Sequence, residues 1–369
     1  MPTGYLDAHI HLWEFCLFHS FTSLEEATCL DECRACLLSN PLSEWLVGVR
    51  FNQENIKEKL MPDRSMLDAW FGPQPALLVR SCLHLISLNS AAMQRLDMHS
   101  PNGLFLETDV FSTLTRLFSF LELDPAVVVR RGWELLSLKG IDRVIDMAMD
   151  KNKRPYFERL DFYTVDWDLL DESLGFKIFL DGSLGARTAA LSVPYDDAPD
   201  NLGCLNYDDD RLMQIVEEVH KQGKPVACHA IGDRAVAQFL RVISQSRHQL
   251  DRLEHLQYAS HEQLDLLASL DIPVCIQPVF SVELPWARLR LGPARMETAY
   301  AWSLMRSKGI RLLAGSDAPV DQVDPLYAAG AAHAQKGNQH LDKEVVLQLF
   351  ARDNWNYYGW KPGAVPNPG

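Results

Sequence analysis

Along most of the chain, short apolar runs rich in β-branched residues alternate with stretches whose apolar positions recur every three to four residues. The runs predict strands at residues 5–10, 45–50, 76–80, 143–147, 176–181, 225–229, 252–255, 272–277 and 311–315. Between them, residues 208–222 carry Leu212, Ile215, Val216 and Val219 at helical spacing and stop at Gly223. Residues 232–245 open after an Ile-Gly step and set Ala235, Val236, Phe239, Leu240 and Ile243 on one stripe, and 261–270 and 341–351 repeat the pattern. Strands alternating with helices mean βαβ units and a parallel sheet. Near-continuous apolar strands suit a sheet covered on both faces. About eight such units make an α/β fold, a (β/α)8 TIM barrel. Residues 89–174 fit the repeat least well and predict a helical insertion after the early strands, with a helix near 110–121. The expected organisation is therefore one barrel over 1–360, an insertion at about 89–174, and a C-terminal tail at 361–369.

Composition narrows the function more than the fold. The 369 residues allow one oversized domain or two ordinary ones. With 35 Lys+Arg against 49 Asp+Glu, the net charge of −14 argues against nucleic-acid and anionic-membrane partners, which are bound through excess basic residues. No run of 18 apolar residues is present, and the first residues lack the basic and apolar regions of a secretory signal. The expectation is a cytoplasmic protein whose eight cysteines stay reduced. Cys29, Cys33 and Cys36 have the C-x3-C-x2-C spacing that ligates an iron–sulfur cluster in radical-SAM enzymes. The same spacing also places three small apolar residues on one face of a helix.

The chemistry concentrates at the ends of the predicted strands. His9 and His11 alternate at the end of the first strand and project to one side. His229 ends the strand at 225–229, His255 ends the strand at 252–255, and Asp317 follows the run Leu312-Leu313-Ala314. In a barrel these tips converge on one face, where active sites are built. Histidines completed by a carboxylate are the ligands of zinc and its neighbours. Lys177 lies within an apolar strand, and two readings of it stand. Either a desolvated amine reacts with carbon dioxide to give a carbamate that bridges metals, or a structural lysine pairs with Asp7 or Asp181.

These residues sit in longer strings: Asp7-Ala8-His9-Ile10-His11-Leu12, Asn89-Ser90-Ala91-Ala92, the run from Lys177 to Leu191, His229-Ala230-Ile231-Gly232-Asp233-Arg234-Ala235, Leu253-Glu254-His255-Leu256-Gln257, and Gly315-Ser316-Asp317-Ala318-Pro319-Val320. In type and order they resemble the amidohydrolase superfamily of metal-dependent hydrolases, and within it the YtcJ-like branch that includes N-substituted formamide deformylase. The resemblance implies that His9 and His11 bind the more buried metal, that Lys177, carboxylated, bridges, and that His229 and His255 bind a second ion. It also implies that Asp317 is both ligand and general base. The implied cofactor is one or two divalent ions, zinc first and iron or manganese after it. The implied reaction is hydrolysis of a non-peptide C–N bond in a small molecule, an amide, formamide or cyclic amide. The alternatives are deamination of an amino-substituted heterocycle at the same site and a pseudoenzyme, against which the intact ligand set argues. Substrate contacts are expected from Arg187, which could instead brace its loop, from Gln277 and His84, and from Glu107, which aligns with an acidic position of the family.

Three departures stand out. Relatives carry a small β-sandwich built from both chain ends; its expected absence here leaves the first strand open to a second copy of the chain, a homo-oligomer. Arg80-Ser81-Cys82-Leu83 replaces a more polar Asp-Gly step before His84, which predicts an altered substrate lip. Leu12-Trp13-Glu14-Phe15 is bulky directly after the histidine pair and predicts a narrowed site.

Overall fold

The computed structural model describes residues 4–106 and 108–362; Glu107 and the part of the expected tail from residue 363 onward lie outside the described residues. The chain forms two compact units, one of Met1–Leu12 with Leu135–Gly369, the other of Trp13–Glu134.

The first unit is the barrel. Its strands are β1 (Tyr5–Ile10), β2 (Ile141–Met149), β3 (Asp161–Thr164), β4 (Gly175–Phe179), β5 (Val226–Ala230), β6 (Arg252–His255), β7 (Val274–Ile276) and β8 (Leu312–Ala314). They lie side by side in that order, each pair parallel. The sheet closes just beyond β8, where Asp317 N donates to His9 O (2.8 Å) and His11 N donates to Ala318 O (2.9 Å). At Gly315 an added Cβ would sit 2.4 Å from the Cβ of His9, so only glycine fits where the last strand meets the first. Below it, buried Asn354 bridges the same seam. Its amide nitrogen donates to Leu6 O and Ala314 O (both 2.7 Å), and its amide oxygen accepts from Ala314 N (3.0 Å).

Alternation along each strand sorts side chains into two sets. Cys228 and Ala230, Leu253, Val274 and Ile276, and Leu312 and Ala314 pack with the helices in the large core. Ala227, Cys275 and Leu313 join Leu6, Ala8, Ile145, Met147, Tyr163 and Trp355 in a separate, smaller cluster. The helices form as their patterns predict. Asp208 caps α1 (Asp209–Lys221) by accepting from Arg211 N at 2.7 Å, a contact worth about 1 kcal/mol. Its buried stripe is Leu212, Ile215, Val216 and Val219. Gly232 precedes α2 (Asp233–Ile243); a Cβ there would meet Ala190 O at 2.0 Å. A capping box of Ser260 and Gln263 starts α3 (His261–Ser269).

The second unit has its own sheet, of strands Thr22–Ser23, Leu46–Phe51, Ala76–Arg80, Leu85–Leu88 and Leu104–Leu106 in that order. The first three are mutually parallel and the last two antiparallel. The insertion thus carries a sheet as well as helices, and it occupies Trp13–Glu134 rather than 89–174. The runs at 45–50 and 76–80 are strands as expected, but of this sheet and not the barrel. Buried parallel strands in either sheet show the same apolar signature, so hydropathy alone does not assign a strand to its sheet. β3 escaped the sequence pattern because Asp-Phe-Tyr-Thr is too short and too polar to register. The cysteine triad follows the helix reading: Cys29 precedes helix Leu30–Ser39, and Cys33 is fully buried among Leu24, Leu37, Phe51 and Leu78.

Candidate metal centre

His9, His11, Lys177, His229, His255 and Asp317 all belong to the barrel unit and are at most 6% exposed. Four of them converge. His9 Nε2 and His11 Nε2 lie 3.1 and 3.2 Å from the same oxygen of Asp317, and His255 Nδ1 is 4.0 Å from its other oxygen. The His255 ring centre is 4.9 Å from that of His9 and 4.5 Å from that of His229. His229 stands at the edge of this group, with Nε2 at 3.0 Å from Gly182 O. Lys177 lies one strand away, its β4 position paired with Ala227 of β5.

Backbone geometry turns two of these side chains inward. His255 (φ 75°) and Asp317 (φ 58°) both adopt the left-handed region at the end of a strand. That conformation is costly for non-glycine residues and gathers at functional sites.

The polar accounting does not close within the protein. Lys177 Nζ is buried with no hydrogen-bond partner, and His9 Nε2 and Asp317 Oδ1 are buried facing each other at 3.1 Å without a well-aligned hydrogen bond. A buried polar atom left unsatisfied costs about 1–3 kcal/mol, so a site that gathers such nitrogen and oxygen atoms suits a cation. Among the described residues, His9, His255 and Asp317 bring one donor atom each within 4.8 Å of one another. The charge states agree. Burial opposes the charge on Asp317, but His9, His11 and His255 outweigh it and hold its carboxyl well below the usual range. Burial pushes His255 down to about 3 and lowers the Lys177 amine. The centre therefore offers an anionic carboxylate, a neutral imidazole and an amine biased toward its uncharged form.

Surrounding groups fix these donors. Asp7 Oδ1 accepts from His9 N (3.1 Å) and Ser316 N (3.0 Å), tying the backbones that carry His9 and Asp317. Burial pushes the Asp7 carboxyl up to about 6. Asp181 accepts from Ala190 N (2.9 Å), Ile231 N (3.0 Å) and Gly232 N (2.8 Å), so it anchors the loop after β4. Gln277 Oε1 lies 2.7 Å from His255 Nδ1, which places Gln277 against His255 rather than as a free substrate contact. Arg187 forks onto Asp197 (3.2 and 2.9 Å), a carboxylate shared with Arg290; this is the loop brace that was the alternative to substrate binding. His84 belongs to the second unit, in the turn between strands Ala76–Arg80 and Leu85–Leu88.

Sequence reasoning passed over Glu254 and Arg252. Glu254 Oε2 is 2.5 Å from His9 Nδ1, and its Oε1 accepts from Arg252 Nε at 2.5 Å. The signal was two charges alternating with Leu253 in a strand otherwise buried.

A parallel eight-stranded barrel with histidines and an aspartate gathered at its strand ends defines the class of metal-dependent barrel hydrolases. Residues 2–351 match the amidohydrolase family, and the chain belongs to that family. It is similar to the protein YtcJ of Bacillus subtilis (strain 168), with 31% identity over 410 aligned positions covering 94% of this chain and 76% of that one. It is also similar to the protein LONG AFTER FAR-RED 3 of Arabidopsis thaliana, at 24% identity over 89% of this chain and 67% of that one. Among solved structures, an uncharacterized metal-dependent hydrolase from Pyrococcus horikoshii OT3 superposes with a TM-score of 0.78 at 24% identity, covering 96% of this chain and 81% of that one. A second, from Pyrococcus furiosus, gives 0.75 at 24% identity over 96% and 82%. Membership supports metal-dependent hydrolysis as the general chemistry and a divalent metal as the cofactor. Among the described residues, no helix is long and apolar enough to cross a membrane.

Proposed function

We propose that the chain hydrolyses a non-peptide C–N bond of a small molecule, an amide, formamide or cyclic amide, at a zinc-type centre. The observation that carries this reading is the convergence of His9, His11 and His255 on Asp317 near the buried, unpartnered Lys177 Nζ. In this reading His9, His11 and Asp317 hold one ion, and His229 and His255 hold a second. Lys177 bridges as a carbamate: its neutral Nζ adds to carbon dioxide, a nitrogen–carbon bond forms and one proton leaves. A divalent ion supplies Lewis acidity, lowering the pKa of water toward about 7 and polarising a carbonyl oxygen. Asp317 takes the proton of the attacking water and passes it to the leaving nitrogen, general base and then general acid. Its low pKa keeps the carboxylate deprotonated and available, and a proton it has accepted is readily given up to the leaving nitrogen.

The test is a screen of amides, formamides, lactams and aminopurines with metal-supplemented protein, reading ammonia, formate and larger amines separately. Release of formate or an amine is expected; ammonia from an aminopurine would move the reaction to deamination. Fewer than one equivalent of bound zinc, iron or manganese would overturn the metal reading itself. A metal count of two that falls to one in His229→Ala is expected from the dinuclear arrangement.

A further inference from the structure

A barrel interior is ordinarily filled by layers of branched apolar side chains. Here β6 sends Arg252 and Glu254 inward instead, and both are fully buried. A buried ion pair gives up much of its attraction to desolvation, so it is a poor way to add stability. What it does supply is fixed geometry.

We propose that Glu254, Arg252 and Tyr358 are positioning residues for the metal centre, and that the C-terminal segment sets the orientation of His9 through them. This inference rests on the reading of His9 as a metal ligand. Glu254 Oε2 faces His9 Nδ1 at 2.5 Å. A carboxylate can only accept there, so Nδ1 carries a proton, and Nε2, 3.1 Å from Asp317, is the nitrogen left to face a metal ion when one is bound. His9 and Arg252 face the two oxygens of the Glu254 carboxyl, one each. Arg252 reaches both strands, β6 and β1. Its Nε donates to Glu254 Oε1 (2.5 Å), and a terminal nitrogen donates to Ala8 O (2.9 Å), next to His9 in the chain.

The other terminal nitrogen of Arg252 donates to the Tyr358 hydroxyl at 2.6 Å. Its guanidinium also lies 4.9 Å from the Tyr163 ring centre and 5.9 and 6.0 Å from those of Tyr357 and Tyr358, within cation–π range. Tyr358 in turn stacks on Trp360 (4.6 Å, 17°), and Trp360 lies under the Arg143 guanidinium of β2 at 3.5 Å. A few residues earlier, Asn354 clasps β1 and β8, whose ends carry His9 and Asp317. Residues 354–360 thus reach the metal centre by two separate routes, one through the strand backbones and one through a side-chain relay.

The experiment is a zinc competition against a chelator of known affinity, using the full-length chain as wild type, Glu254→Gln and Tyr358→Phe, with metal-free thermal stability measured in parallel. Glu254→Gln should weaken zinc binding by about 10–100-fold, the usual cost of losing a ligand's outer partner. Tyr358→Phe, one step further out, should weaken it by about two- to fivefold. If Glu254→Gln does not fold, Tyr358→Phe carries the test, since it removes only a hydroxyl. Variants that melt earlier yet bind zinc as tightly as wild type would reduce the network to packing and overturn the proposal. A wild type that binds no zinc would instead overturn the metal reading, and this inference with it.

Discussion

The two units of this chain both bury a sheet with parallel strands, yet they use buried polarity differently. In the second unit, buried polar side chains brace the backbone. Asn89 accepts from Ala76 N and Ala92 N and donates to Gln74 O, and Ser87 donates to Pro62 O. The apolar cluster around Leu78 and Cys33 carries no charge. In the barrel, some buried groups brace in the same way, as Asp181 and Asn354 do. Others point at one another: His9, Glu254, Arg252, Lys177 and Asp317 face inward with little gain in stability to show for it. Residues that break the rules of a good core without a structural return mark where the chemistry is. A buried charge therefore means little until its partners are known, and in the barrel the partners are other reactive groups.

The sharpest way to break this contrast is at Asp317. Asp317→Asn keeps the shape of the side chain but removes the carboxylate proposed as the base. Turnover should fall by about 10²–10⁴-fold with the circular dichroism spectrum unchanged. Equal activity in the variant would show that Asp317 does not move the proton. Next comes the opposite kind of change, in the second unit. Leu78 is fully buried in that unit's core, so Leu78→Ala should cost about 2–5 kcal/mol in chemical denaturation. The bound metal per folded chain should stay at the wild-type value. A parallel loss of metal would mean that the two units do not divide stability and chemistry as their interiors suggest.

The same contrast explains what the sequence disclosed. The candidate ligands stood out because each is a polar residue at or just past the end of an apolar run, a pattern with few structural excuses. The barrel was legible because alternation of strands and helices repeats along the chain. The assignment of strands 45–50 and 76–80 was not, because a buried parallel strand looks alike in any sheet. Nor was the return of the C-terminus. Asn354 meets Leu6 across 348 positions of sequence, and Tyr358 meets Arg252 across 106, contacts that no local pattern encodes. Gln277 and Arg187 were visible as polar residues near the strand ends. Their partners, His255 and Asp197, were not, and the partner decides between substrate contact and brace.

The smallest expected effect tests the second unit's interior directly. Cys29, Cys33 and Cys36 have a spacing that could ligate iron, which would demand accessible thiolates. Instead Cys33 has no exposed surface, and burial, with the neighbouring Cys36 and Cys29, pushes its thiol up to about 12. At pH 8 such a thiol is ionised in only about one molecule in 10⁴, and only the thiolate reacts at a useful rate. Cys204, in the barrel unit, is exposed. Brief treatment of the native protein with iodoacetamide at pH 8, read by peptide mass spectrometry, should therefore modify Cys204 and leave Cys33 intact. Cys33 should become labelled only after unfolding. Labelling of Cys33 as fast as Cys204 in the folded chain would open that core to solvent and restore the cysteine triad as a candidate for chemistry.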